Sequence, residues 1–558
     1  TALQSGLFRG NPWGTPGSFL PSSACLLWTA TLTAAAARTR AGWLRRLLLA
    51  VGLVLPAVSL LPWVAVARYL AFDLRLETNW FAPTLTVAIA AAVGAVWIAR
   101  AGQSGQPPAA AAWPVIGLGA MFVMAKLVAG GTLLFIDNAV TAEARAAQAE
   151  ATAMMLANLP PVPSDDDNAA SLYRRVFADL AADTSEAESE VWPTLEGSPL
   201  TVQTESVTDL LGRHRSTIAS LRQAADRPAC RFTRDWTRPS AGMLLPEMTS
   251  LRRAARLLSL AARRAAVDGS AAEAMADVVR LRRLARHAAG EPLLISGLVG
   301  MAIDATADET LVAILPTLRP SDLPLLDAEG LLGDPFDVTR WLLGEQAFGL
   351  SMFATLGTGS GPDPAGLLAN GSEYGAAPAV PTLMLPYRVF LLPSDLAGYR
   401  AVMGEELLHC TTDAGDRSWP VSHRRLEDLA ARIKERPPGI FTELITPALQ
   451  GFAEAVTRSQ ARRKVVAALI AATRHRLETG SLPGSLTALV PGQLAAMPQD
   501  PFIGTSRAEE EPLRFVAGSD WLTVYSVGVN GVDDGGPRDE AEGDEQKTDD
   551  VGYSMAIR

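Results

Sequence analysis

Long apolar runs dominate the first quarter of the chain, and each has the length of a membrane-spanning helix. They extend from Leu47 to Ala67, from Trp80 to Ala99 and from Trp113 to Ile136. A helix needs about twenty apolar residues to cross the hydrocarbon core of a bilayer, and tryptophan favours the headgroup region near its ends. A buried core helix is the alternative for any single run. Three neighbouring runs with tryptophan at their ends predict a transmembrane region over residues 43–136.

Basic residues next to these runs predict their orientation. Four arginines precede the first run, at positions 38, 40, 45 and 46, and arginine beside a membrane span is retained on the cytoplasmic side. An odd number of crossings then places the chain after Ile136 outside the cytoplasm. A weaker apolar run, Phe19 to Ala37, leaves one further span open in the N-terminal segment, residues 1–42. We therefore predict an inner (cytoplasmic) membrane protein with a large extracytoplasmic C-terminal part.

Helical periodicity characterises the middle of the chain. Between Leu251 and Ala289, apolar and basic residues alternate with a helical period, and Asp268-Gly269-Ser270 interrupts them. This pattern predicts an antiparallel helical hairpin, and a largely apolar helix is expected from Leu293 to Leu315. The arginines of the hairpin are expected to form a solvated face, with a surface for an acidic partner as the alternative. They are Arg252, Arg253, Arg256, Arg263, Arg264, Arg280, Arg282, Arg283 and Arg286.

The end of the chain changes from helix to sheet. Arg462 to Glu478 has one apolar stripe, which is typical of an amphipathic helix, and Gly480 is placed to end it. Leu513 to Ala517 and Trp521 to Val527 contain β-branched and aromatic residues and predict two strands. Residues 461–558 are therefore expected to form an α+β module with a small antiparallel sheet.

The expected architecture is multi-domain, with N-terminal transmembrane α-helices, a mainly α-helical extracytoplasmic domain and the C-terminal α+β module. A hydrophobic content of 48% with only 19% charged residues supports the membrane portion. The predicted segments are residues 1–42, an N-terminal segment; 43–136, transmembrane; 137–355, helical; 356–381, a linker rich in glycine and proline; 382–460, a helical continuation; and 461–558, the α+β module with an acidic tail.

Charge and cysteine content argue against two classes of function. The net charge is −10 and no dense basic stripe occurs, so binding to nucleic acid through phosphate contacts is not expected. Three cysteines are too few and too scattered for a zinc cage or a disulfide framework. Cys230 and Cys410 could still form one disulfide bond in an oxidising compartment, and sequence alone leaves this open.

No catalytic motif stands in the structural context that it requires. The five histidines are not spaced as metal ligands, and neither a phosphate-binding loop nor a nucleophile elbow occurs. His409-Cys410 is the only local pair, and no third group is placed to orient it. Asp304 and Asp308 share one helical face, and paired carboxylates can perform acid–base chemistry. An extracytoplasmic hydrolase that uses carboxylates such as these or Glu345 is the alternative to a non-enzymatic protein.

Several short motifs follow one another between Arg462 and Arg558. Their residues are Gly480, Pro483, Pro498, Asp500, Pro501, Tyr525, Ser526, Gly528, Asp549 and Asp550. This order resembles the globular half of the type II secretion major pseudopilins. The resemblance implies a long helix, a Gly-x-x-Pro turn, a Pro-x-Asp-Pro segment, a short sheet and an Asp-rich loop that binds calcium. No Gly-Phe-Thr-Leu-x-Glu processing segment precedes the helix, which leaves polymerisation as a cleaved pilin open. Through Leu251 to Ile303 and this ending, the whole chain also looks similar to large membrane-anchored proteins of planctomycete-type bacteria.

The acidic tail supplies candidate calcium ligands. Between Asp533 and Asp550 only Arg538 and Lys547 oppose a concentration of carboxylates. Carboxylate and carbonyl oxygens are the ligands that calcium prefers, although the spacing excludes an EF-hand and an acidic disordered loop would have the same composition. With the resemblance added, the expected calcium ligands are Asp533, Asp534, Asp549 and Asp550, with Ser526 and Asn530 beside them.

Together these features predict a membrane-anchored extracytoplasmic interaction or assembly protein with a calcium-stabilised C-terminal module. The resemblance links it to a type II secretion-like system or another system of the bacterial envelope. Its expected partners are the lipid bilayer and envelope proteins, and not nucleic acid.

Overall fold

The computed structural model describes residues 43, 136, 138–182, 204–237, 245–358, 387–407, 419–435, 438–503, 511–518, 520–537 and 548–556. The chain divides into two compact units, residues 1–143 with 357–391 and residues 144–356 with 392–558. The predicted transmembrane runs and the weaker run before them lie outside the described residues, apart from Ile136. Within the residues just given, no helix combines the length and the apolar character that a membrane crossing requires.

Few residues of the first unit are described. They include residues 138–143, which begin helix α1 (residues 138–158), and a π-helical turn, Tyr387–Leu391. Arg388 donates a hydrogen bond of 3.2 Å to the hydroxyl of Thr141. This bond joins the start of α1 to the π-helical turn.

The second unit is mainly helical, which confirms the helical part of the predicted fold class. After α1 its helices are α2 (Ala170–Ala182), α3 (Glu205–Arg213), α4 (Arg215–Ala225), α5 (Glu247–Val267), α6 (Ala271–Ala288), α7 (Leu294–Ile314), α8 (Val338–Thr358, whose last two residues belong to the first unit), α9 (Leu392–Ala401), α10 (Trp419–Glu435) and α11 (Ile440–Thr479). Short 3-10 helices lie at Leu315–Thr317, Pro320–Asp327 and Leu486–Leu489, and a π-helical segment lies at Val402–Leu407.

The predicted helical hairpin is confirmed by α5 and α6. The turn between them places Gly269 at a φ of 84°, a left-handed conformation that glycine adopts without a steric penalty. Helix α7 packs against both helices of the hairpin. It approaches α6 closely because Gly300 lies against Ala285 and Ala289, where any side chain would collide.

Two arginines of the hairpin contradict the predicted solvated face. Arg263 and Arg282 are buried, and Arg282 is only 1% exposed. Others pair within the chain, since Arg280 and Arg283 both contact the carboxylate of Asp226 at 3.0–3.1 Å. The periodic pattern does not reveal these pairs, because the acidic partners come from other elements of the fold.

Helix α11 is 40 residues long, which corresponds to about 60 Å. It is continuous across residues 460 and 461, where the sequence predicted a change of segment. Asp395 of α9 caps its first turn, since Oδ1 accepts hydrogen bonds from the backbone N–H of Thr442 at 3.2 Å and from its hydroxyl at 2.7 Å. At the other end Gly480 adopts a φ of 79° and donates to the carbonyl of Arg476, as the sequence predicted.

Three antiparallel strands follow, β1 (Arg514–Ala517), β2 (Trp521–Ser526) and β3 (Val551–Ala556), in the order β1-β2-β3. The first two confirm the predicted strands. The sequence reasoning missed β3, because it treated the carboxylates before Val551 as an acidic tail. The alternation of Val551, Tyr553 and Met555 with small and polar residues is the signal that could have found it.

One hydrophobic cluster contains the inner face of the sheet, the C-terminal half of α11 and the ends of the hairpin helices. Its members include Leu522, Val524 and Met555 from the sheet, Val465, Val466 and Leu469 from α11, Leu311 and Ile314 from α7, and Met275 and Val278 from α6. Burial of apolar side chains is the dominant favourable term in folding. The sheet and the helices therefore stabilise one another.

Candidate functional site

Asp500 joins the two motifs on which the pseudopilin resemblance depends. Its Oδ1 accepts hydrogen bonds from the hydroxyl of Ser526 at 2.6 Å and from the N–H of Phe502 at 2.9 Å. Its Oδ2 accepts from the N–H of Val527 at 3.0 Å. The carboxylate is buried, and these three donors from the described part of the chain satisfy it. The Pro-x-Asp-Pro segment is thereby fixed to the end of β2.

Lys464 attaches helix α11 to the same segment. Its ammonium group donates a hydrogen bond of 2.8 Å to the carbonyl of Gln499, next to Asp500. Burial lowers the pKa of Lys464, and the charge of Asp500 opposes that effect. The helix, the proline segment and the strand end thus meet at one point.

The backbone geometry at Gly528 explains why the Tyr-Ser-x-Gly motif ends in glycine. Its φ is 69°, and a Cβ at this position would collide with the carbonyl oxygen of Asp549. Its N–H also donates to the hydroxyl of Ser526 at 3.3 Å. The chain segment that leads into β3 therefore passes directly over Gly528, and only glycine fits there.

Asp533 is fixed on the outer side of the sheet. It accepts hydrogen bonds from the Tyr525 hydroxyl at 2.8 Å, from the Gly535 N–H at 3.0 Å and from Arg514 Nε at 3.2 Å. Burial acts to raise the pKa of Asp533, but these hydrogen bonds and the charge of Arg514 outweigh it and lower the pKa below its ordinary value. Asp533 is therefore ionised at neutral pH.

Asp550 is the most informative of the predicted ligands. It is 7% exposed, and its Oδ2 accepts a hydrogen bond of 2.7 Å from the N–H of Gly536. Its Oδ1 is buried and has no hydrogen-bond partner among the described residues. Burial raises the pKa of Asp550, backbone N–H groups of Gly536 and Asp534 lower it, and the charges of Asp534 and Asp533 raise it further.

The structure brings some predicted ligands together and directs others elsewhere. The carboxylates of Asp533 and Asp534 lie close enough to Asp550 for their charges to raise its pKa. Asn530 donates to Asp534 at 3.0 Å. In contrast, Ser526 binds Asp500, and Asp549 lies 3.8 Å from Arg458.

This arrangement is not a finished metal centre. In the described part of the chain, no group of three or more His, Cys, Asp or Glu side chains is placed to hold a metal ion. A calcium ion at Asp550 would require Asp533 or Asp534 to turn toward the free oxygen, and backbone carbonyls could complete the set of oxygen ligands. The donor chemistry fits calcium.

Asp304 and Asp308, the carboxylates named for the alternative hydrolase, are held by one buried arginine. Arg282 contacts Asp304 at 2.9 Å and Asp308 at 2.5 Å, and its Nε donates to the carbonyl of Leu331 at 3.1 Å. Burial acts to lower the pKa of Arg282, but the charges of Asp308 and Asp304 raise it overall. Burial also raises the pKa of Asp308. These contacts give the three side chains a structural role, because they join α6, α7 and the turn that follows the 3-10 helix Pro320–Asp327.

Glu345 does not join that pair. Its carboxylate accepts a hydrogen bond of 3.2 Å from the N–H of Leu294, at the start of α7. Leu294 lies ten residues before Asp304, which places the two sites about 15 Å apart along the helix. Burial raises the pKa of Glu345, and the Leu294 N–H lowers it in part.

A second buried polar cluster, which the sequence reasoning did not identify, lies around Glu291. Arg234 donates to Glu291 at 2.8 Å and also contacts Glu247, and all three side chains are buried. Burial raises the pKa of Glu291 to about 7, although Arg234 acts against it. Nearby, burial and the charge of Glu291 raise the pKa of the Cys230 thiol, so it does not form a nucleophilic thiolate at neutral pH.

His287 is fixed as a neutral side chain. The Tyr173 hydroxyl lies 2.8 Å from His287 Nδ1. Burial lowers the pKa of His287 to about 4, although a hydrogen bond with the backbone of Arg227 acts against it. His409 and Cys410 lie outside the described residues, so the pairing of Cys230 with Cys410 stays open, as the sequence left it.

Comparison of the chain with models of protein families, with curated proteins and with solved structures gives no match. The resemblance to the pseudopilins therefore depends on the motifs alone.

Proposed function

We propose that the chain is a membrane-anchored, extracytoplasmic assembly protein of a type II secretion-like or other envelope system, and that calcium stabilises its C-terminal module. The apolar runs within residues 43–136 support the anchor. The hydrogen bonds of Asp500 support the module, because they connect its two motifs. Buried ion pairs and hydrogen bonds occupy the carboxylates on which a hydrolase would depend, which favours a non-enzymatic role.

The observation that supports calcium most strongly is Oδ1 of Asp550, which is buried and receives no hydrogen bond from any described residue. A buried carboxylate oxygen without a donor or a cation is costly, and native proteins seldom leave one in that state. Asp533 and Asp534 supply further negative charge beside it. A calcium ion would satisfy the free oxygen and offset the repulsion among the three carboxylates.

Thermal unfolding of the full chain with added calcium tests this proposal. The full chain is required because the sheet shares its hydrophobic cluster with α6 and α7. Calcium at about 100 times its dissociation constant adds about 2.7 kcal/mol to the free energy of unfolding. We expect a saturable rise in the melting temperature that D550N abolishes and that the exposed control variant D166N retains. No rise in the wild type, or an equal rise in D550N, would reject calcium stabilisation.

A further inference from the structure

Strand β1 forms one edge of the described sheet, because β2 is the only described strand paired with it. The N–H of Gly518 donates to the carbonyl of Trp521 at 2.8 Å, so this opposing pair is a hydrogen-bonded pair of the β1–β2 hairpin. Antiparallel pairs alternate between bonded and non-bonded positions, so the backbone groups of Phe515 and Ala517 point away from β2. Such an edge can accept a further strand.

The outer face of the sheet carries exposed apolar side chains next to this edge. Val516 and Trp521 are 41% and 42% exposed. On the same face, Thr523 and Tyr525 are covered by the loop at Gly536. Val516 and Trp521 lie toward the β1–β2 turn, and an exposed tryptophan beside a valine is the kind of anchor that dominates protein interfaces.

The charged residues described next to this apolar pair are mostly acidic. Asp520 directly precedes Trp521, and Glu511 and Asp533 both contact Arg514, which lies two residues before Val516 in β1. Arg514, the basic residue of β1, is neutralised by Glu511 at 2.6 Å and by Asp533 at 3.2 Å. A second copy of the chain would bring two acidic surfaces together, whereas a basic partner is complementary in charge.

We propose that β1 binds an extended, basic segment of another envelope protein, which adds to the sheet as a further strand. Its main chain would bond to the outward backbone groups of Phe515 and Ala517. Its apolar side chains would contact Val516 and Trp521, and its basic side chains would be attracted by the acidic surroundings. This inference rests on the proposed assembly function and names the surface and the partner chemistry that would carry it.

Fluorescence anisotropy with the full chain and a labelled short peptide of alternating lysine and valine tests the inference. We expect saturable binding that W521T weakens at least about tenfold, or 1.4 kcal/mol. A517P should remove binding, because its N–H points outward and its loss leaves the hydrogen bonds to β2 intact. V532T, which changes an exposed valine outside the sheet, should bind as the wild type does.

A peptide of the same sequence with N-methyl groups on alternate residues is the control for strand addition, since it has the same charge but lacks one row of donors. Equal binding of the two peptides, or unaltered binding by W521T, would overturn the inference even if A517P unfolds. The calcium-dependent shift in melting temperature is measured on the same samples. A calcium shift without peptide binding would reject the docking surface and leave the proposed function standing, whereas loss of both would reject both.

Discussion

The carboxylate of Asp500 accepts a hydrogen bond of 2.6 Å from the hydroxyl of Ser526, a residue 26 positions further along the chain. The same carboxylate accepts the N–H of Val527, so D500N would turn one acceptor into a donor that faces a donor. We expect the free energy of unfolding to fall by about 2–4 kcal/mol. Urea unfolding of D500N beside the exposed variant D166N measures this loss. A loss no larger than that of D166N would contradict the role of Asp500.

Two glycines separate the effect of backbone conformation from that of a collision. Gly528 and Gly531 have φ values of 69° and 66°, but only Gly528 faces an obstacle, the carbonyl of Asp549. G531A should cost about 1 kcal/mol for the left-handed conformation alone. G528A should cost at least about 2 kcal/mol more, because the segment leading into β3 must move. Equal melting temperatures for the two variants would show that this close approach does not occur.

Arg282 should matter far more than its neighbour Arg283. R282M would leave Asp308 buried without its cation, and a broken buried ion pair typically costs about 3–5 kcal/mol. Arg283 is 42% exposed and pairs with Asp226 at the surface, so R283M should cost less than about 1 kcal/mol. Chemical denaturation of both variants measures the difference. A small cost for R282M would return Asp304 and Asp308 to the candidates for catalysis.

Glu291 should make the stability of the fold depend on pH. Burial raises its pKa from 4.5 to about 7, so the folded chain binds this proton more tightly than the unfolded chain. Its stabilising contribution is complete below pH 4.5 and is lost as the pH rises through 7. His287 acts in the opposite direction, since its lowered pKa makes its contribution disappear as the pH falls from 6.5 through 4.

The variant E291Q isolates the first of these effects. His287 is present in both proteins, so its contribution cancels when one free energy of unfolding is subtracted from the other. Between pH 4.5 and 7 the wild type should lose up to about 3 kcal/mol relative to E291Q as the pH rises. Urea unfolding at several pH values provides the measurement. A difference that does not change with pH would show that Glu291 stays ionised throughout.

Local patterns predicted the elements that depend on local sequence. The α5–α6 hairpin, the glycine end of α11 and the first two strands follow from periodicity, turn residues and β-branched composition. Helix α11 is longer than predicted, because Pro447 and Gly451 interrupt the helical signal in the sequence although the helix continues through both. Strand β3 was hidden by the carboxylates that precede it.

The candidate site was predictable as a set of residue types but not as an arrangement. Asp533 and Asp534 lie near enough to Asp550 to raise its pKa. Ser526 instead donates to Asp500, a residue that the motif contained but whose structural role the sequence did not show. The burial of Arg282 and Glu291 could not be inferred, because their partners come from elements distant in sequence. Tertiary contacts of this kind leave no periodic trace.

Membrane anchoring with an extracytoplasmic C-terminal part is tested most directly by fractionation and protease treatment of bacterial cells that express the full chain with a C-terminal epitope. We predict that the chain stays in the membrane fraction after a high-salt wash. Protease added to spheroplasts should remove the epitope while a cytoplasmic marker stays intact. Recovery of the chain in the soluble fraction, or an epitope that is cleaved only after the membrane is lysed, would contradict the proposed anchoring and orientation.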